Sequence, residues 1–366
     1  MHILDISLII AYIVGLMAIG LWLKHKKKLD SSYTVMARKL SLPAFIMTLV
    51  TTWYGAILGI GEFIFGFGIV GWVTNGLFWY GIYFFFAYAL SKNIHESQFL
   101  TIADHLEAKI GKKTARIGAF FTYIMTTPAP YIFSLGLLVH TLFGWPLWIA
   151  IVVGCIVNAA YIWSGGFQAV VKTDMVQFVC MYIGFILLLV FSVATFGGVE
   201  FLQNNLPVTH FSWKGTLSVS TIVVWGFLAL WTLVDPNFYQ RCYAAKDAKT
   251  ARNGVLWAIL CWFLFDMLTL FTALYARAAF PDSNPLFSYL TLAQGILPVG
   301  ILGIFCIALF SIIMSTIDSF LFSSSVLLEH HVFRPFTKNM SVTRLTQLGI
   351  VVTLAVSLLF IYIFQS

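Results

Sequence analysis

Charge is scarce in this sequence. Asp, Glu, Lys and Arg make up 10% of it, against 60% hydrophobic residues and a mean hydropathy of +0.92. A soluble domain carries about 25% charge and 45–50% apolar residues, so the deficit excludes a water-soluble globule and leaves an integral membrane protein. Catalytic signatures are missing as well. There is no H-E-x-x-H and no G-x-S-x-G, and no His falls inside the apolar runs beside the polar stretch described below, so an enzyme lacks its base. Cysteine is sparse: five residues, at 155, 180, 242, 261 and 306, with no metal or disulfide spacing. They read as small buried apolar residues. No basic region precedes the first apolar run. Its charges (Lys24, Lys26, Lys27 and Lys28) follow it, so it reads as a retained membrane helix rather than a signal peptide.

What is present is apolar length. Ten segments are long enough to span a bilayer, at about 5–23, 43–67, 70–90, 117–143, 145–163, 174–196, 217–234, 254–276, 299–328 and 345–364. The connections at 24–41, 91–116, 164–173, 235–253 and 329–344 hold 19 of the 21 Lys and Arg. By the positive-inside bias these face the cytoplasm, and both termini lie outside. The net charge of +7 is this topology signal, with no call for nucleic acid as a partner. Lys26–Lys28 are placed to meet anionic lipid headgroups. On the other side, Leu286, Tyr289, Leu290 and Ala293 recur at helical spacing, as a short amphipathic helix would. Residues 97–113 read as a surface helix on the basic side.

Polar residues inside the spans are the candidate functional groups. The second span, "TTWYGAILGIGEFIFGFG", is interrupted by glycines, which suits either close helix packing or an unwound segment lining a site. Glu62 follows those glycines and reads as an interfacial residue or one facing protein. Asp235-Pro236 ends the seventh span, because the residue before proline disfavours helical geometry. The run beyond it, with Gln240 and Arg241, reads as a solvated loop. Asp174 opens the sixth span, where the helix dipole favours an acid. Asp266 is a second acid in an apolar run, without an evident partner. The densest polarity is "IIMSTIDSFLFSSS" (312–325). At about 100° per residue, Ser315, Thr316, Ser319 and Ser323 share one face, with Asp318 and Ser311 at its border. Hydroxyls bonded back to their own helix, or joining two helices, would give such a face. A cage of neutral oxygens for a hard cation is the functional alternative.

In this order along the chain, the broken second span (51–68), "GGFQAVVKTDMVQ" (165–177), "DPNFYQRCYAAKDAKTAR" (235–252) and "MSTIDS" (314–319) resemble the sodium/solute symporter family, whose relatives include sodium/proline and sodium/glucose cotransporters. The resemblance covers essentially the whole chain. It implies an all-α membrane fold of the leucine-transporter type, one transmembrane domain over 1–366 with two inverted five-helix repeats. Here 5–23 is an additional N-terminal helix, 43–196 the first repeat, and 217–364 a second repeat lacking its last helix. It also implies a sodium site made by the hydroxyls of Ser315 and Thr316 with carbonyls near Ile312, Leu49 and Thr52. A second sodium, found in some members, would lie at Asp174, Asp318 and Ser319. The solute would sit near Ala56, Trp231 and Thr232, with Trp53 and Trp225 as lids. Two departures stand out: Thr51 occupies a position where some relatives carry an acid, and Asp318 replaces a serine.

The resulting expectation is an inner-membrane symporter that couples sodium to a small organic solute by alternating access, and is not an enzyme. The runner-up is a truncated, transport-inactive relative acting as a sensor or scaffold.

Overall fold

In the computed structural model, residues 1–24, 30–337 and 339–365 are described. Lys26, Lys27 and Lys28 lie outside them. Each of the ten expected spans contains helix. Among the described residues, eight helices are long and apolar enough to cross a membrane; the second and third expected spans are not among them.

The first span is α1 (Ile3–Lys24). The second is two helices, α2 (Leu42–Thr51) and α3 (Ile57–Phe67), so the glycine-rich segment is unwound. The third, α4, runs over 70–97 with wide turns at Val73–Leu77 and Phe86–Leu90. On the basic side lies the expected surface helix, α5 (Ile102–Lys109). It is started by a capping box between Thr101 and Asp104. The fourth span is also broken, into α6 (Lys112–Met125) and α7 (Ala129–Phe143). Pro128 and Pro130 lack the N–H groups that would carry the helix across.

Helices α8 (Leu147–Gly165) and α9 (Phe167–Phe196) meet at Gly166. Its φ of +57° and the approach of Tyr33 to within 2.6 Å of a Cβ there leave room only for glycine. Helix α9 therefore starts at Phe167, and Asp174 lies two turns inside it instead of at its N-terminus.

The seventh span begins as α10 (Val219–Phe227), tightens over Leu228–Val234 and stops at Asp235. The Asp235 side chain caps α11 (Pro236–Ala244) by accepting the Asn237 N–H at 2.9 Å. Every residue of α11 is buried. The expectation of a solvated loop here is corrected: the segment turns inward and packs on the bundle. Then come α12 (Ala248–Ala279), the short α13 (Ser288–Ile296), α14 (Ile301–Leu328) and α15 (Val342–Gln365). Tyr289, Leu290 and Ala293 are the buried face of α13, as their spacing predicts.

Helix α14 is the central post, with every residue from Ala308 to Glu329 buried. It is tied to α1 at two levels. The carboxylate of Asp5 accepts the N–H groups of Gly300 and Gly303, at 2.7 and 2.9 Å, satisfying donors that the start of a helix leaves free. Lower down, Ser311 donates to the Tyr12 hydroxyl at 2.9 Å. Nearer the basic end, Ser324 donates to the Thr126 carbonyl at 3.0 Å, where the fourth span is broken.

Candidate functional site

The end of a helix leaves carbonyls without partners, and the break after α2 exposes those of Thr51 and Thr52 in the middle of the bundle. Hydroxyls of α14 meet them. Ser315 Oγ lies 2.9 Å from the Thr51 carbonyl, and Thr316 Oγ1 lies 3.0 Å from that of Thr52. Both hydroxyls also lie within 3.1 Å of the Ile312 carbonyl on their own helix. Five neutral oxygens thus converge, all on buried residues. This donor set fits a hard monovalent cation: oxygen ligands, no soft atom, and no formal charge to hold the ion too tightly. Leu49 sits three residues earlier, with a buried side chain. Gly55 lets the two elements approach. A Cβ there would stand 2.6 Å from both Thr316 and Tyr131. Gly55→Ala is expected to push α14 from the break and weaken binding of a monovalent cation at these oxygens at least about tenfold, the effect of roughly 1.4 kcal/mol. A cation titration of the purified protein checks this.

Next to these oxygens lies a buried ion pair. Arg241, on α11, is fully buried. Its Nη2 lies 3.6 Å from Asp174 Oδ2. The same nitrogen donates to Ser319 Oγ at 2.6 Å, Thr52 Oγ1 at 2.9 Å and Thr48 Oγ1 at 3.0 Å. Thr48 donates to Asp174 in turn. One guanidinium therefore joins α2, α9, α11 and α14. Burial of this kind requires partners, since an isolated charge in hydrocarbon costs several kcal/mol or more. Asp318 turns the other way and accepts the Tyr161 hydroxyl at 2.5 Å.

Beyond the break, a cavity of about 240 Å³ lies beside Thr52 and Trp53. Its wall is largely aromatic (Trp53, Trp72, Trp79, Tyr131, Trp231 and Phe320), with Asn75, Asp266 and Thr269 as polar groups. Asp266 is held by two tyrosines: Tyr54 donates to Oδ1 at 2.6 Å, and Tyr80 donates to Oδ2.

A model of the sodium:solute symporter family matches residues 33–366. The chain belongs to that family. Among curated members, it is 24% identical to the mouse sodium/glucose cotransporter 4 over 427 aligned positions, covering 100% of this chain and 61% of the relative. It is 33% identical to the sodium/pantothenate symporter of Haemophilus influenzae over 173 positions, 45% of this chain and 36% of the relative. The chain thus spans about 61% of the length of the cotransporter it matches throughout. In fold it is similar to a substrate-bound, outward-open Na+-coupled sialic acid symporter, with a TM-score of 0.86 at 16% identity, covering 99% of this chain and 83% of that one.

For this member of the family, the structure brings together most of the residues singled out in the sequence. Ile312, Ser315, Thr316 and Thr52 form one cluster, and Asp174 and Ser319 another beside it. Asp318 belongs with Tyr161 instead. Trp53, Ala56 and Trp231 line the cavity. Trp225 packs on the Phe63 ring, 5.2 Å between centroids, and Thr232 is buried in the tightened turns before Asp235. Glu62 is exposed on α3. Sequence reasoning missed Arg241 as a site residue and left Asp266 without partners. Arg241 was visible only as a cation next to a proline-capped turn, a pattern shared with ordinary cytoplasmic loops.

Proposed function

We propose that this protein is a sodium-coupled symporter of a small organic solute, working by alternating access. The observation that carries this is the meeting of Ser315 and Thr316 with the free carbonyls of the broken helix, beside a cavity of about 240 Å³. An ion at those oxygens pulls on α2 and α14 together. The non-helical residues 52–56 then lead from the ion to the cavity wall at Trp53 and Ala56. Broken helices that present backbone to an ion and a solute at mid-membrane are the usual means of coupling the two. A sodium ion entering through about 100 mV contributes about 2.3 kcal/mol, enough for a roughly 50-fold gradient of a neutral solute.

On this reading the basic connections lie in the cytoplasm, the N-terminus lies outside, and the protein resides in the plasma membrane. Sodium binds at Ser315 and Thr316, with carbonyls from Leu49, Thr52 and Ile312 available as the helices move. Arg241 already neutralises the Asp174 and Ser319 position, so one sodium per solute is the expected stoichiometry.

The cavity also constrains the solute. Asp266 is the one acid among its lining residues, and no lining residue is basic. Aromatic faces favour the apolar sides of rings or the charge of an amine. A small neutral or amine-bearing solute, including a zwitterion, is the class proposed; a polyanion is disfavoured. The test is uptake into proteoliposomes with an inward sodium gradient, across polyols, amino acids and di- and tricarboxylates. Sodium-driven uptake confined to the polycarboxylates would overturn the assignment. Asp266→Asn is expected to raise the KM for an amine-bearing solute by about tenfold, roughly one charged hydrogen bond, and to leave that for a polyol nearly unchanged. Paired KM measurements check it.

A further inference from the structure

The basic end of α14 carries a second group of potential ligands, away from the coupling region. Beyond Leu328 the helix continues through Glu329–Phe333 with wide turns, seen in the Arg334 N–H bonded to the Glu329 carbonyl at 2.9 Å. Such turns recur at functional sites. Here the turn presents two consecutive imidazoles, His330 and His331, to α5. His330 Nε2 stands 3.0 Å from Asp104 Oδ1, and His331 Nε2 stands 3.4 Å from the same oxygen.

We propose that Asp104, His330 and His331 form a binding site for a transition-metal dication of the zinc class. The geometry supports this directly. Zinc takes imidazole nitrogen and carboxylate oxygen at about 2.0–2.2 Å in a tetrahedron, which places neighbouring donor atoms roughly 3.3 Å apart. Both nitrogen–oxygen separations bracket that value, and all three donor atoms lie within 4.8 Å of one another. The carboxylate is also prepared as a ligand. Its other oxygen, Oδ2, accepts the N–H groups of Leu100 and Thr101 at 3.0 and 2.9 Å, which fixes the direction of Oδ1. Outer hydrogen bonds of this kind orient metal ligands. Thr101 Oγ1 lies 2.7 Å from His331 Nε2; zinc would take the lone pair of that nitrogen, so this hydrogen bond gives way on binding, and the fourth position is left for water. Access is available, since the His330 side chain is 26% exposed and that of Asp104 12%.

Two imidazoles and a carboxylate select against the hard ions. Magnesium and calcium prefer oxygen-only shells, whereas nitrogen ligands suit zinc, nickel, cobalt and copper. The site joins α5 to the helix that carries Ser315 and Thr316. A bound metal would fasten the surface helix to the end of that post.

Isothermal titration of the purified full chain in detergent, stripped with a chelator, tests the proposal. Zinc chloride is expected to bind at one ion per chain, and cobalt to give the intense visible bands of a tetrahedral nitrogen and oxygen site. His330→Gln, the mildest change at a partly exposed position, should weaken zinc by more than the roughly 10–100-fold that follows loss of an outer partner. His330→Gln with His331→Gln should remove the one-to-one site. Zinc should raise the thermal midpoint of the wild type and not of the double variant. Each variant's midpoint without metal reports whether it folds. Zinc binding that is absent in the wild type, or unchanged in a folded double variant, overturns the proposal.

Discussion

Replacing Ser315 and Thr316 together by alanine is expected to abolish sodium-stimulated uptake while leaving the protein folded and in the membrane. Both halves of that expectation follow from the neutrality of the cluster. The two hydroxyls supply two of its five oxygens. Without them, the Thr51, Thr52 and Ile312 carbonyls are the three oxygens that remain, too few to replace the water of a hard cation. Stability should fall by about 1–3 kcal/mol for each buried carbonyl, of Thr51 and Thr52, that loses its hydroxyl partner, so folding and abundance are measured beside uptake. The carbonyl of Ile312 keeps its place in the helix ladder. Thr316→Ser, which keeps the oxygen, should retain sodium dependence. The measurement is initial uptake against sodium and against choline at matched abundance. Undiminished sodium stimulation in the double alanine variant would show that the cation binds elsewhere.

Arg241→Met is expected to have the largest effect on stability. Removing one partner of a buried ion pair strands the other charge, at a cost of about 3–5 kcal/mol. Here the loss spreads further, because the same guanidinium nitrogen also bonds Thr48, Thr52 and Ser319. The single variant should accumulate poorly and melt early. Combining it with Asp174→Asn removes the stranded carboxylate and should recover much of the lost stability, though not transport. Thermal midpoints in detergent for the two singles and the double complete the cycle. A double variant no more stable than Arg241→Met would show that Asp174 is not the charge Arg241 neutralises.

How far the sequence could be read depended on the distance over which its information acts. Spans are local, and hydropathy marked ten apolar segments that all contain helix, eight of them long and apolar enough to cross a membrane among the described residues. The Ser315 and Thr316 face is also local, because helical spacing alone collects those hydroxyls. Arg241 was not legible, since a cation after Asp235-Pro236 is equally suited to a cytoplasmic loop. Its partners lie 67 positions away at Asp174 and 193 away at Thr48. Asp266 was opaque for the same reason: Tyr54 and Tyr80, which hold it, come from other spans. The start of α9 was misplaced because hydropathy does not distinguish a membrane helix from its extension past the lipid. The turn at Gly166 sets that boundary.

The ties on α14 have a mechanical consequence. It is pinned by Asp5 at one end and by Tyr12 farther down, and it is held near the basic end by Thr126. A rod fixed at three heights cannot tilt without breaking buried bonds at two of them. Relative motion is cheaper in the segments whose helices are already interrupted, at residues 52–56 and 228–235. Spin labels on α1 and α14 should therefore keep their separation through a transport cycle, while labels on α3 and α10 change theirs. The first helix, which contributes nothing to the ion cluster or to the cavity lining, then acts as the stay that keeps the post upright.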